Sequence, residues 1–208
     1  MIKIIIADDH KLIRTGLRKL VEHEIDIEVI AETEDPNKIL EIIKNIEADI
    51  LLLDLQFPGK SGLDVLKDVK LLKPKLHVLI LSMHPEERYA IRALKSGASG
   101  YISKDADPMI ILEAIRKIYS GRKYLSPELS EQLLFSMDSN KPLHDYLSDR
   151  EFQILHLIAK GKAQTIIADE LSLSVSAVNT YRTRILEKLQ LKTTSELIHY
   201  SIENKLVD

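Results

Sequence analysis

The chain has no cysteine among its 208 residues, which excludes disulfide bridges and thiolate metal sites and agrees with a reducing compartment. It has no run approaching the roughly 18 apolar residues that a membrane span needs, although 45% of its residues are hydrophobic. The opening MIKIIIADDH carries a short apolar run, and Asp8 and Asp9 close it before a signal-peptide core could form. These absences point to a cytoplasmic protein with no membrane partner. Charge of one sign is also missing: the formal net charge is -3, so nothing global announces nucleic-acid binding. Residues 145–208 carry eight basic against nine acidic side chains, yet from Asn179 to Lys192 four basic residues meet Glu187 alone. A case for DNA must therefore come from local pattern rather than composition.

Short apolar runs at Ile2–Ala7, Ile27–Ala31, Ile50–Leu53, His77–Leu81 and Tyr101–Ile102 alternate with amphipathic stretches. Three of the runs (IKIIIA, ILLL, VLIL) are nearly continuous, as strands buried on both faces of a parallel sheet should be. The stretches Lys11–Glu22, Pro36–Ile46, Gly62–Leu72, Pro85–Ser96 and Pro108–Ser120 have helical period. Pro36, Pro85 and Pro108 stand where a helix begins, with Asp35 and Asp107 as caps, while Gly97 and Gly121 follow helix ends. Five such β–α units predict a flavodoxin-like, doubly wound, five-stranded parallel α/β domain over residues 1–121. Residues 122–144 read as a linker: a helix over Ser126–Met137, capped by Ser126, then the flexible connector DSNKPLH. Residues 145–208 read as a small all-α domain of four helices, at Asp149–Ala159, Ala163–Leu171, Ser176–Leu189 and Ser195–Asn204.

Ligands of parallel α/β sheets bind outside the carboxyl ends of the strands. That rule gathers Asp8 and Asp9 from the first strand, Asp54 from the third, Ser82 from the fourth and Lys104 after the fifth. Crowded carboxylates repel unless a cation joins them, and a hard oxygen set suits Mg²⁺. With a lysine and a hydroxyl beside them, they make a site for handling a phosphoryl group. Singly, each residue has a plainer reading, a strand-end aspartate being most often a helix cap; the convergence carries the inference. Gly59-Lys60-Ser61 imitates the tail of a phosphate-cradling loop, but Asp54 stands where that loop needs its first glycine. His10 and His84 flank the pocket without ligand spacing to another histidine and read as surface polar residues. A metal-dependent hydrolase of flavodoxin-like fold is the enzymatic rival, and it would need a second catalytic loop or a cleft for which so small a domain has no room.

In the C-terminal helices, Ala163–Leu171 would bury Ile166, Ile167 and Leu171, and SLSVS would make a tight turn capped by Ser174 or Ser176. The next helix would bury Val178, Tyr181, Ile185 and Leu189, leaving Asn179, Thr180, Arg182, Thr183 and Arg184 on its other face. Short hydrogen-bonding groups followed by guanidinium groups suit a helix entering the major groove N-terminus first, with Arg184 and Lys188 on phosphates. A solvated polar face, or a bundle that docks a protein, remains open on residues alone.

Residues 1–121 resemble the receiver domain of the two-component signalling family, through "DD" at 8–9, "LLLDLQFPGKSGLDVL" around Asp54, "LS" at 81–82 and "GYISK" at 100–104. The resemblance implies that Asp54 accepts phosphate from a cognate histidine kinase. It implies further that Asp9, Asp54 and the backbone carbonyl of Gln56 coordinate Mg²⁺, with Asp8 acting through water. Ser82 and Lys104 would then grip the phosphoryl oxygens, and Tyr101 would be the aromatic that rotates when Ser82 moves; on residues alone Tyr101 reads equally as a half-buried edge aromatic. Phe57 stands before Pro58 where the family usually has methionine, and Asp105 follows Lys104 where many relatives have proline. "LSDREFQILHLIAKG" at 147–161 and "IADELSLSVSAVNTYRTRILEKLQL" at 167–191 are similar to the LuxR-type helix-turn-helix of the NarL/FixJ family, with Glu151, Gly161, Val178 and Ile185 in place. The "NTYRTRI" string looks closest to the GacA/UvrY-like branch, whereas Ser176-Ala177 replaces a lysine and threonine common in relatives. Together the resemblances imply a non-enzymatic, phosphorylation-dependent transcriptional regulator. It would dimerise on phosphorylation and bind a double-stranded promoter inverted repeat with half-sites about one helical turn apart. DNA binding independent of phosphorylation is the variant that the residues leave open.

Overall fold

The computed structural model describes residues 1–58, 60–83, 86–127, 129–130 and 142–207. The chain divides into two compact units, Met1–Phe135 and Ser136–Asp208. The first holds a five-stranded parallel sheet of β1 (Ile2–Ala7), β2 (Ile27–Thr33), β3 (Ile50–Asp54), β6 (His77–Ser82) and β7 (Gly100–Ser103), in the order β2-β1-β3-β6-β7. This is the doubly wound order that the alternating pattern implies. Period-two sorting explains why the runs are continuous. Ile4, Ile6, Leu52, Leu79 and Leu81 share one core with Leu17 and Val21 of α1 (Lys11–Glu22) and Leu112 and Ile115 of α5 (Pro108–Tyr119). Their alternates Ile5, Leu51, Leu53 and Ile80 are equally buried and face the other side of the sheet.

The remaining helices of this unit are α2 (Ile39–Asn45), α3 (Gly62–Leu72) and α4 (Glu86–Lys95). α2 begins three residues later than Pro36 suggests. The Asp35 carboxylate bonds the Asn37 N–H (2.9 Å) and its carbonyl takes the Lys38 N–H (3.1 Å), so residues 36–38 form a turn before the helix. Asp107 does cap α5, accepting from the Met109 N–H at 2.8 Å. Gly97 and Gly121 take the left-handed conformation (φ 101° and 82°) that ends a helix. A feature absent from the sequence reading is a two-stranded antiparallel hairpin, β4 (Gln56–Phe57) and β5 (Lys60–Ser61), between β3 and α3. Gly59, His84 and Pro85 lie outside the described residues, as do the helix expected over Ser126–Met137 beyond residue 130 and most of the DSNKPLH connector. Ser126 Oγ does accept the Leu129 N–H, at 3.1 Å.

Among its described residues the second unit has a 3₁₀ turn (Leu143–Tyr146), then α6 (Asp149–Ala159), α7 (Gln164–Glu170), α8 (Val175–Leu189) and α9 (Thr194–Glu203). Reciprocal capping boxes start two of them: Ser148 with Glu151 at α6, and Thr193 with Glu196 at α9. Ser174, rather than Ser176, caps α8 by accepting the Ala177 N–H at 3.1 Å. Ile154, Leu155, Ile167, Val178, Ile185, Leu189 and Leu197 are buried as its core. Ile166, expected in that core, is exposed, and Tyr181 is only half-buried. Among the described residues no helix is long and apolar enough to cross a membrane.

Candidate functional site

The register of the sheet brings the chemistry together. Ala7 pairs with Leu53, Asp54 with Leu81 and Ser82 with Ser103, so β1, β3, β6 and β7 finish side by side. The residues at or just past those ends are Asp8, Asp54, Ser82 and Lys104. Lys104 Nζ lies 2.7 Å from Asp8 Oδ2 and 2.8 Å from Asp54 Oδ2, and the three side chains are only 3%, 3% and 1% exposed. The Lys104 N–H donates to the Ser82 carbonyl (2.8 Å), fixing the lysine despite Asp105 behind it. Ser82 is fully buried. Burial is the strongest influence on Asp54 and pushes its pKa up; Lys104 opposes this, Asp8 adds to it, the Gln56 N–H opposes it, and the result is about 6.

Asp9 extends the acidic cluster. Its Oδ1 is shut off from solvent and has no hydrogen-bond partner. Asp8, Asp9, His10 and Asp54 each offer an atom within 4.8 Å of the others'. Three carboxylates with one orphaned oxygen form a donor set that fits a hard divalent cation. Gln56 lies two residues past Asp54, in β4, with its N–H on the Asp54 carboxylate. Tyr101, on the edge strand β7 beside Ile80, is 1% exposed, so it is fully buried rather than half-buried.

Three residues that hold this pocket escaped the sequence reading. His10 is exposed, as a surface polar residue should be, but its Nδ1 also lies 2.7 Å from Asp9 Oδ1 and its N–H donates to Asp8 Oδ1 at 2.8 Å. Arg14 is buried and donates to the Asp8 carbonyl (2.7 Å) and to Glu34 (2.8 Å). The signal for it was visible: Arg14 shares the buried stripe of α1 with Leu17 and Val21, where an unpaired charge is costly. Gly62 opens α3 with its N–H on the Leu55 carbonyl (2.9 Å). A Cβ there would lie 2.3 Å from the Asp54 carbonyl oxygen, so only glycine lets α3 approach the acidic strand end this closely.

In the second unit, Asn179, Thr180, Thr183, Arg184 and Lys188 are exposed along α8. The hydroxyls of Thr180 and Thr183 donate back to the Ser176 and Asn179 carbonyls (3.0 and 3.1 Å). Arg184 lies over the Tyr181 ring, 6.0 Å from its centroid. Two of the expected DNA contacts are held within the unit. Arg182 is half-buried with Nε on Thr194 Oγ1 at 2.9 Å, and Lys188 Nζ is 2.6 Å from Glu151 Oε2. Burial works against ionisation of Glu151, but Lys188 and Ser148 outweigh it and hold its carboxyl below the usual carboxylate range.

The model of the response regulator receiver domain matches residues 4–116, and that of bacterial regulatory proteins of the luxR family matches residues 145–201. Oxygen regulatory protein NreC of Staphylococcus haemolyticus is 36% identical over a 215-residue alignment covering 99% of both chains. A LuxR-family two-component response regulator from Aurantimonas sp. SI85-9A1 is 30% identical, covering 66% of this chain and 98% of that one, with a TM-score of 0.61. RcsB from Salmonella enterica serovar Typhimurium, bound to promoter rprA with the phosphomimetic BeF3-, is 25% identical over 96% of this chain and 98% of its own, with a TM-score of 0.65. The chain belongs to the NarL/FixJ-type response regulators, which join a receiver to a LuxR-type DNA-binding domain. It is a phosphorylation-dependent transcriptional regulator of a two-component system.

Proposed function

We propose that Asp54 is the phosphoacceptor of a receiver over residues 1–121, joined by a connector at 122–144 to a DNA-binding domain over 145–208. The observation that carries this is Lys104 Nζ placed between Asp8 and Asp54, at 2.7 and 2.8 Å, with all three side chains buried. An Asp54 oxygen attacks the phosphorus of a phosphohistidine on a cognate kinase. The P–N bond breaks as the P–O bond forms, and the imidazole leaves with a proton. Asp9, Asp54 and the Gln56 carbonyl would hold Mg²⁺, with Asp8 acting through water; when bound, the ion supplies charge neutralisation for the incoming phosphoryl group. Lys104 then exchanges its carboxylate partners for a phosphoryl oxygen, and Ser82 donates its hydroxyl to another. Movement of Ser82 opens space beside Tyr101 and biases the receiver face toward a second state. The chain itself turns over no substrate in this account.

The output is a cytoplasmic dimer, formed on phosphorylation, that reads a promoter inverted repeat. Asn179, Thr180 and Thr183 face bases and Arg184 faces phosphate, while Arg182 and Lys188, engaged by Thr194 and Glu151, reach DNA only by exchanging those partners for it. A dimer is favoured because a net-acidic output domain with one basic stripe binds poorly as a single copy, and paired copies gain effective concentration. The GacA/UvrY-like cast of this reading rests on the string at 179–185, the NreC-like cast on the whole chain. The test is incubation with acetyl phosphate and Mg²⁺ followed by intact-mass measurement. One phosphoryl group, labile to hydroxylamine, is expected on the wild type and none on Asp54→Asn; undiminished labelling of that variant refutes the assignment.

A further inference from the structure

A nitrogen donor stands at the edge of the acidic pocket. His10 occupies the position before α1 with an extended backbone (φ -84°, ψ 105°), yet its imidazole makes no capping bond to the helix. It turns instead to the carboxylates, with Nδ1 2.7 Å from Asp9 Oδ1 and 3.3 Å from Asp8 Oδ1. Asp9 Oδ1 makes no hydrogen bond, and its 2.7 Å approach to the exposed imidazole is the distance of an imidazolium–carboxylate pair as well as of two donors sharing one ion. Adjacent donors around a six-coordinate ion with bonds near ~2.1 Å lie about 3 Å apart, close to the 2.7 Å between His10 Nδ1 and Asp9 Oδ1, while Asp8 Oδ1 is taken by the His10 N–H. His10 also falls within the same 4.8 Å cluster as Asp8, Asp9 and Asp54.

The geometry points to His10 as a metal ligand of this pocket, joining the carboxylates and shifting its preference from Mg²⁺ toward first-row transition ions such as Mn²⁺. The inference rests on the metal site proposed above and deepens it. Mg²⁺ favours an all-oxygen shell and keeps its waters, whereas an imidazole nitrogen suits transition ions better. The competing role for His10 is to orient Asp9 from outside the shell. That role would also cost affinity on mutation, but it would place no nitrogen on the ion.

The test uses full-length protein and Mn²⁺ alone. Loss of the free-ion paramagnetic resonance signal measures binding, and pulsed measurements detect ¹⁴N coupling to the bound ion. Wild type should bind Mn²⁺ with a directly coordinated imidazole nitrogen. His10→Ala should still bind, without that coupling, and with a Mn²⁺-to-Mg²⁺ affinity ratio lower by about tenfold. Bound Mn²⁺ with no ¹⁴N coupling in the wild type, or coupling that persists in His10→Ala, overturns the assignment while leaving the carboxylate site standing. Failure of Asp9→Asn and Asp54→Asn to weaken Mn²⁺ binding overturns the carboxylate site, and His10's role with it.

Discussion

Replacing Asp54 with asparagine keeps the shape of the side chain and removes its charge, and in the metal-free receiver this should be stabilising at neutral pH. The Asp54 side chain is 1% exposed, and burial is the main reason its pKa is raised from 3.8 to about 6. A carboxyl whose folded pKa lies above its unfolded value favours the folded state below the unfolded pKa. That favour is lost as pH climbs through the folded pKa. The window is therefore roughly pH 4 to 6. A shift of about two units at about 1.4 kcal/mol each makes the loss about 3 kcal/mol, complete by pH 7. Asparagine carries no such penalty, and its carbonyl can still accept from Lys104 and the Gln56 N–H. With chelator present, Asp54→Asn should match wild type at pH 4 and exceed it by up to about 3 kcal/mol at pH 7. Because the chain has two units, a single melting curve would mix them. Hydrogen exchange of peptides spanning β3, followed against urea, reads the receiver alone. Divalent cation should raise wild-type protection at pH 7 and leave the variant nearly unchanged. A stability difference that does not vary with pH, or a variant less stable than wild type at pH 7, would refute the reasoning.

Gly62→Ala forces a Cβ to within 2.3 Å of the Asp54 carbonyl oxygen, so α3 must retreat. About 1–3 kcal/mol of receiver stability and much of the acetyl phosphate labelling should be lost together, by urea titration and intact mass. Thr183→Ala and Asn179→Ala should each weaken specific DNA binding by about 1–3 kcal/mol without altering the fold, by anisotropy beside circular dichroism. Arg184→Ala should weaken binding to all sequences and flatten its salt dependence. Lys188→Ala should differ from these, because it leaves the buried Glu151 carboxylate without its cation. It should destabilise the output unit by about 1–3 kcal/mol in urea, and Glu151→Gln should restore part of that when combined with it.

Much of the receiver was legible because its strands are continuous apolar runs and its register puts their last residues in one place. Asp8, Asp54, Ser82 and Lys104 could be gathered by counting to strand ends, since a parallel sheet aligns those ends. The start of α2 was misread because Pro36 suits a turn as well as a first helical turn, and the Asp35 side chain chose the turn. The hairpin Gln56–Phe57 with Lys60–Ser61 is too short to leave any period-two signal. His10 could not be placed because a loop residue has no periodicity to say where its ring points. On α8 the polar face was visible, but which members were engaged was not. Arg182 meets Thr194 and Lys188 meets Glu151, 12 and 37 residues away in sequence. Only the tertiary fold supplies such partners. Ile166 failed for a related reason: in a helix as short as Gln164–Glu170 one apolar position can face solvent without disturbing the core.

Control of DNA affinity by phosphate on Asp54 is tested directly by one paired measurement. Wild type and Asp54→Asn are treated with acetyl phosphate and Mg²⁺. Each sample is split between intact-mass measurement and anisotropy titration of a genomic fragment selected by the treated wild type. Phosphorylated wild type should bind roughly 5–150-fold more tightly than untreated protein, the span of a typical coupling between sites, and Asp54→Asn should not respond. Equal affinity before and after treatment, in a sample whose mass shows complete phosphorylation, would contradict it.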